Sequence, residues 1–234
     1  MGMPRQMGVL RVRDEGEPVV FRNREDAGRR LGKALEKYRD KKALVLGIPR
    51  GGVEVAYHAA RYLRADLSIL VARKLPYPDN PEAGFGALAE DGSAVLSEDA
   101  RFALSDDEIG RIVREQEEEI HRRIRALRKG KPLPDIEGRT VILIDDGLAT
   151  GSTMKAAIAL CRKRKAGKIV VAVPVAGERV AREIGKLVEE TVILEKPAPF
   201  FAVAQAYADW YDVPDEEVVD LLSRWAGEQA DTGT

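Results

Sequence analysis

The residues most able to do chemistry stand together in VILIDDGLATGST, residues 141–153. Four apolar residues run into two adjacent carboxylates, Asp145 and Asp146. A short loop follows, with Gly147, Ala149, Thr150 and Gly151, and ends at Ser152 and Thr153. A strand, a Gly/Thr/Ser turn and a helix start form a phosphate-binding layout, because turn amides and helix N-terminal N–H groups face an anion. Two carboxylates beside an anion make sense if the ligand brings hydroxyl donors or a hard cation. A nucleoside-triphosphate loop needs G-x-x-x-x-G-K-[ST]. Gly151 is followed directly by Ser152, with no Lys, so that chemistry is excluded.

The elements that must position this loop read as an alternation. Apolar runs at 43–48, 67–72, 140–144, 169–175 and 191–194 are expected strands. Helices are expected at 24–38, 53–63, about 152–165, 178–189 and 215–225. Strands written as apolar runs between helices imply a mainly parallel sheet covered on both faces, with ligands at the strand carboxyl ends. Residues 73–135 interrupt the alternation. RKLPYPDNPEAGFG is expected to be a loop, ALAEDGSAVLS a hairpin turning near Asp91-Gly92, and Ser105 with Glu108 a capping box opening a long helix. Ile109, Ile112, Val113, Gln116, Ile120, Ile124 and Leu127 share one face of that helix.

Bulk properties narrow the classes. The chain has 234 residues, is 44% hydrophobic and 33% charged, and has net charge -1. That suits one globular domain and gives no electrostatic argument for nucleic acid or an anionic membrane. No apolar run approaches the roughly 18 residues of a membrane helix. The first residues, MGMPRQMGVLRVRDEGEP, lack a secretory apolar core. One cysteine, Cys161, allows no internal disulfide, and two histidines with one cysteine build no zinc site. A cytoplasmic location is expected.

VILIDDGLATGST resembles the phosphoribosyl-pyrophosphate (PRPP) loop of type I phosphoribosyltransferases: four hydrophobic residues, two acids and a small Gly/Thr-rich stretch. FRNREDAGRRL, GIPRGGVEVA, VARKL, NPEAGFGALAEDG and PFFAVAQAY extend the likeness to a bacterial and archaeal group whose members carry provisional phosphoribosyltransferase names. The resemblance implies the type I fold: a parallel sheet flanked by helices, with an inserted flap and a C-terminal hood. It also implies a single domain, 1–234. The core would be about 22–72 and 136–196, the flap and helix 73–135, and the hood and helix 197–225.

The resemblance further implies Mg2+-dependent transfer of phosphoribosyl to a nitrogen of an acceptor, expected to be a nucleobase. This would be a pentosyl transfer of nucleotide metabolism and salvage. Asp145 and Asp146 would contact the ribose hydroxyls, with Mg2+ carried by PRPP and touching them through water. Gly147, Ala149, Thr150, Gly151, Ser152 and Thr153 would hold the 5-phosphate. Pro49, Arg50, Gly51 and Gly52, with Arg73 and Lys74, would hold the diphosphate; Arg50 and Lys74 would join the two acids as the catalytic set. Phe200 and Phe201 would stack on the acceptor. A homodimer is expected. Where enzymes acting on 6-oxopurines have a third acid, this loop has Ala149. The alternative on the same scaffold is a PRPP- or nucleotide-sensing regulator without transferase activity.

Three signals read as bland. GFGALA (84–89) matches a dinucleotide pattern but lacks its preceding strand, and a flap hinge is expected instead. Cys161 lies on a helical core stripe with Met154, Ala157 and Ile158. His58 and His121 read as ordinary helix residues.

Overall fold

A computed structural model describes residues 20–232; the N-terminal stretch read above for a secretory core lies outside them. In chain order the elements are α1 (Arg24–Ala34), β1 (Leu44–Gly47), α2 (Gly51–Leu63), β2 (Asp66–Ile69), β3 (Ala72–Tyr77), β4 (Asn80–Ala89), β5 (Ala94–Leu96), α3 (Ala100–Ala103) and α4 (Asp106–Arg128). There follow β6 (Thr140–Ile144), α5 (Ser152–Lys163), β7 (Lys168–Val175), α6 (Glu178–Gly185), β8 (Glu190–Glu195) and α7 (Asp215–Thr232). Short 3-10 turns occupy Glu36–Tyr38 and Val203–Ala206.

Five strands form one parallel sheet in the order β2-β1-β6-β7-β8. Alternate residues face opposite ways in a strand. Val45, Ile142, Ile144, Val170 and Ala172 pack under α1, α2 and Trp225. Leu44, Leu46, Val141, Leu143, Ile169 and Val171 meet Met154, Ala157 and Cys161 of α5 and Ile184 of α6. The three central strands are therefore buried on both faces, which is why they read as unbroken apolar runs.

The chain leaves β1 for one edge and β6 for the other, so the strand order reverses between two adjacent strands. Crevices at such switch points take ligands. In-register pairing sets Gly47 opposite Ile144, and the Ile48 N–H donates to the Ile144 carbonyl at 2.8 Å. The loops after β1 and β6 thus start side by side.

Three expectations need correction. The run at 67–72 is not one strand: β2 ends at Ile69, and β3 begins at Ala72 in a separate sheet. The sequence hides this break because Leu70 and Val71 are fully buried too. The Pro/Gly-rich segment after Val71 is not a loop. It forms the β3–β4 hairpin of a three-stranded antiparallel sheet, β3-β4-β5. Pro76 is tolerated because the register shifts on either side of it. GFGALA is consequently strand, not hinge.

The expected capping box is present, with the Glu108 N–H donating to Ser105 Oγ at 3.3 Å and the Ser105 N–H to Glu108 Oε2 at 2.9 Å. α4 then buries Ile112, Ile120 and Leu127 against Leu75, Phe85 and Leu88 of the small sheet. Among the described residues no helix is long and apolar enough to cross a membrane.

Candidate functional site

Asp145 and Asp146 leave β6 at the switch point. The Asp146 N–H donates to Asp145 Oδ1 at 2.9 Å. Asp146 Oδ2 accepts from Arg24 Nε at 3.0 Å, and the Arg24 side chain is only 3% exposed. The Arg24 guanidinium also donates to the Tyr211 carbonyl at 3.0 Å and lies 4.0 Å from the centre of the Trp210 ring. The Tyr207 hydroxyl donates to the Asp146 carbonyl at 2.6 Å. Like charges at a buried strand end require compensation. The sequence reading left that to the ligand; in the structure Arg24 supplies it.

Compensation is incomplete. Burial pushes the Asp145 carboxyl well above its usual range, and the charge of Asp146 adds to this. Burial also raises Asp146, while Arg24 pulls it back down. Burial likewise raises the Tyr207 phenol, so it stays a donor.

Arg24 reaches this depth because α1 lies against α2. A Cβ on Gly28 would come within 2.6 Å of the Val55 carbonyl oxygen, and one on Gly32 within 2.9 Å of Tyr62 Cβ. The Asn23 side chain caps α1 by accepting from the Asp26 N–H at 2.9 Å.

The following loop is small where it is crowded. A Cβ on Gly147 would meet Val203 at 2.6 Å. Leu148 is buried and pairs with Ala176, while Ala149 and Thr150 are exposed. Gly151 is the N-cap of α5 in the left-handed region, at φ 73°, with no side chain capping the helix. The first turn of α5 carries no acid. Thr150 Oγ1 and Ser152 Oγ lie 3.3 Å apart. A helix start without a side-chain cap or acid, ringed by hydroxyls, has free N–H donors and a dipole that suit an anion.

The β1 loop closes on the same point. A Cβ on Gly51 would fall 2.0 Å from Asp146 Oδ2 and 2.7 Å from Arg24 Nε; one on Gly52 would fall 2.8 Å from the Asp145 Cα. Only glycine permits this approach. The Pro49–Arg50 peptide is cis. Arg50 occupies the N-cap position of α2 without a side-chain capping bond, is partly exposed, and lies 3.7 Å from Asp215 of α7.

Arg73 and Lys74 are brought to opposite faces of β3. Arg73 Nε donates to Gln116 Oε1 of α4 at 3.1 Å. The Lys74 stem lies across Gly84, on the face that Ala72 and Ala87 turn toward α5. Phe200 and Phe201 also separate. Phe200 packs beside Phe21 and Tyr207 and against Gly177, whereas Phe201 is 74% exposed.

Cys161 is buried, which pushes its thiol up to about 12, so it is core. Burial lowers His58 to about 4, so it is neutral near pH 7. Among the described residues no group of three or more His, Cys, Asp or Glu could hold a metal ion.

Sequence reasoning missed Arg24 and assigned no role to Tyr207 or Trp210. Periodicity cannot reveal a contact across 122 positions. The available signal was an arginine opening a helix on the same face as Ala27, Gly28, Leu31 and Gly32.

A pair of strand-end carboxylates facing two glycine loops at the switch of a parallel sheet defines a class, and sequence comparison agrees with it. The model of the family described as phosphoribosyl transferase domain matches residues 22–207, and the chain belongs to that family. Two curated proteins of Mycobacterium tuberculosis, from strains CDC 1551 / Oshkosh and ATCC 25618 / H37Rv, carry provisional phosphoribosyl transferase names. Each is 40% identical over 216 residues, covering 92% of this chain and 49% of the relative. The chain thus spans about half the length of these curated relatives. The crystal structure of TT1426 from Thermus thermophilus is 36% identical, with TM-score 0.76 over 88% of this chain and 99% of that one.

Proposed function

We propose that this chain transfers the phosphoribosyl group of PRPP to a ring nitrogen of an acceptor, releasing pyrophosphate. One observation carries the reading: Asp145 and Asp146 are packed against Gly51 and Gly52, so carboxylates for a sugar diol adjoin a loop for an anion. In this reading the two acids accept hydrogen bonds from the ribose 2- and 3-hydroxyls. The amides of 147–153 and the hydroxyls of Thr150, Ser152 and Thr153 hold the 5-phosphate. Arg50 and the amides around Gly51 and Gly52 hold the diphosphate, with Arg73 approaching from the small sheet and Lys74, on the other face of β3, reaching it when that sheet closes over the ligand.

The bond from ribose C1 to the diphosphate oxygen breaks, its electron pair leaves with pyrophosphate, and an acceptor nitrogen lone pair forms the new bond to C1. Positive charge develops on the sugar as the bond opens. Asp145 and Asp146 lie where they would favour it, while Arg50 and Lys74 favour the departing anion. Paired oxygen donors without a protein metal cage among the described residues suit a hard cation delivered by the diphosphate itself. Mg2+ bound that way would neutralise leaving-group charge. Phe201, largely exposed, is the side chain of the aromatic pair open to stacking on a planar nucleobase.

The test is pyrophosphate release from PRPP and Mg2+ against pools of purines, pyrimidines and other ring-nitrogen heterocycles. Release that depends on one pool is the expected result. PRPP binding without release in any pool would favour a sensing protein instead.

A further inference from the structure

Four guanidiniums gather outside the β1 loop. Arg50 Nη1 and Arg122 Nη1 approach opposite oxygens of Asp215, at 3.7 and 3.5 Å. Arg122 and Arg123 both engage Glu119, at 2.7 and 3.0 Å. Arg73, one turn away at Gln116, is half-buried, and burial with the like charge of Arg123 lowers its pKa from the ordinary value. In this set of contacts four cations face two carboxylates, Glu119 and Asp215. The Asp215 carboxylate is weakly bound. Both its arginine contacts are long, and its buried Oδ1 has no hydrogen-bond partner among the described residues. Geometry of that kind is attraction by charge without directed bonds.

We propose that Arg122 of α4 extends the diphosphate subsite beyond the β1 loop, and that the Asp215 carboxylate fills this subsite until a diphosphate displaces it. The proposal rests on the PRPP reading given above. A diphosphate carries more charge and more acceptor oxygens than one carboxylate, so it can bond both guanidiniums where Asp215 only approaches them. Its arrival also matches the excess of two positive charges. The consequence is a link between α4, which follows the small sheet, and the C-terminal helix α7, which starts at Asp215.

The experiment is calorimetric binding of inorganic pyrophosphate with Mg2+, and separately of ribose 5-phosphate, to the full chain and to R122Q and D215N. The expected result for R122Q is pyrophosphate binding weakened about tenfold, the loss of one charge-assisted contact, with ribose 5-phosphate unchanged. D215N should bind pyrophosphate more tightly than the parent. Unchanged pyrophosphate affinity in R122Q would reduce its contacts to a surface ion pair and overturn the proposal. Weaker or unchanged binding in D215N would overturn the displacement. A parent chain that binds neither ligand would overturn the underlying PRPP reading, a result separate from either variant's effect.

Discussion

Arg24 and Asp146 are 122 residues apart in the chain, yet Arg24 Nε donates to Asp146 Oδ2 at 3.0 Å within a nearly closed site. The pair ties the first helix to the loop that follows β6. Through Trp210 and the Tyr211 carbonyl it also ties in the C-terminal tail. Removing one member of a buried ion pair costs about 3–5 kcal/mol, because the other charge stays buried.

Arg24→Gln should therefore destabilise the fold by about 3 kcal/mol at pH 8. Without Arg24 the Asp146 carboxyl rises further, so protonation relieves the loss as pH falls toward 5. Urea unfolding at both pH values checks this; a loss under about 1 kcal/mol at pH 8 would contradict it. Arg24→Lys should fall between, since an ammonium cannot reproduce the flat guanidinium against Trp210.

Asp145→Asn should stabilise the unliganded fold at neutral pH. The folded Asp145 carboxyl titrates above its unfolded value, because burial and Asp146 penalise its charge. The penalty is absent below about pH 4, where the unfolded carboxyl is protonated. It grows as pH rises through the folded value and is full above it. The melting temperature of Asp145→Asn should exceed the parent's at pH 8 by about 2–4 °C, the shift for about 1 kcal/mol in a chain of this size. The gap should close toward pH 4. A gap constant with pH would show that the carboxylate carries no such penalty.

Gly51→Ala should damage the site more than the fold. Its methyl would occupy space 2.0 Å from Asp146 Oδ2, forcing the carboxylate and Arg24 apart. PRPP affinity should drop at least about 100-fold, the scale of a displaced charged contact in a binding site. Gly110→Ala on α4 is the contrast. Its methyl meets only the end of Arg114 at 3.4 Å, and it should add up to about 1 kcal/mol of helix stability without touching binding. Equal PRPP affinity in both variants would refute the close packing of the two loops.

Much of this was legible in the sequence because burial is written in runs and periods. Four of the five core strands read as apolar segments, β2 was run together with the start of β3, and the loop after β6 declared itself by residue type. The hairpin turning near Asp91-Gly92 was read correctly as β4–β5, but the β3–β4 half of the small sheet was misread because Pro76, Gly84 and Gly86 are turn residues by habit. Here Pro76 sits at a register shift, and the glycines admit the Lys74 stem and the Val95 carbonyl. Arg24 was invisible as a site residue because nothing local distinguishes a buried arginine from a solvated one. The distinction lies in Asp146, Trp210 and Tyr211, which only folding brings near. Phe200 and Phe201 are chemically alike, and only packing assigns one to the core and the other to solvent.

The central claim is that 141–153 is a PRPP-binding loop whose carboxylates serve the ligand. It is tested most directly by titrating PRPP with Mg2+ into the parent chain and into the double variant Asp145→Asn, Asp146→Asn, with circular dichroism to follow the fold. The expected result is saturable binding by the parent and loss of binding in a double variant that remains folded. Undiminished binding by the folded double variant, or none by the parent, would contradict the claim.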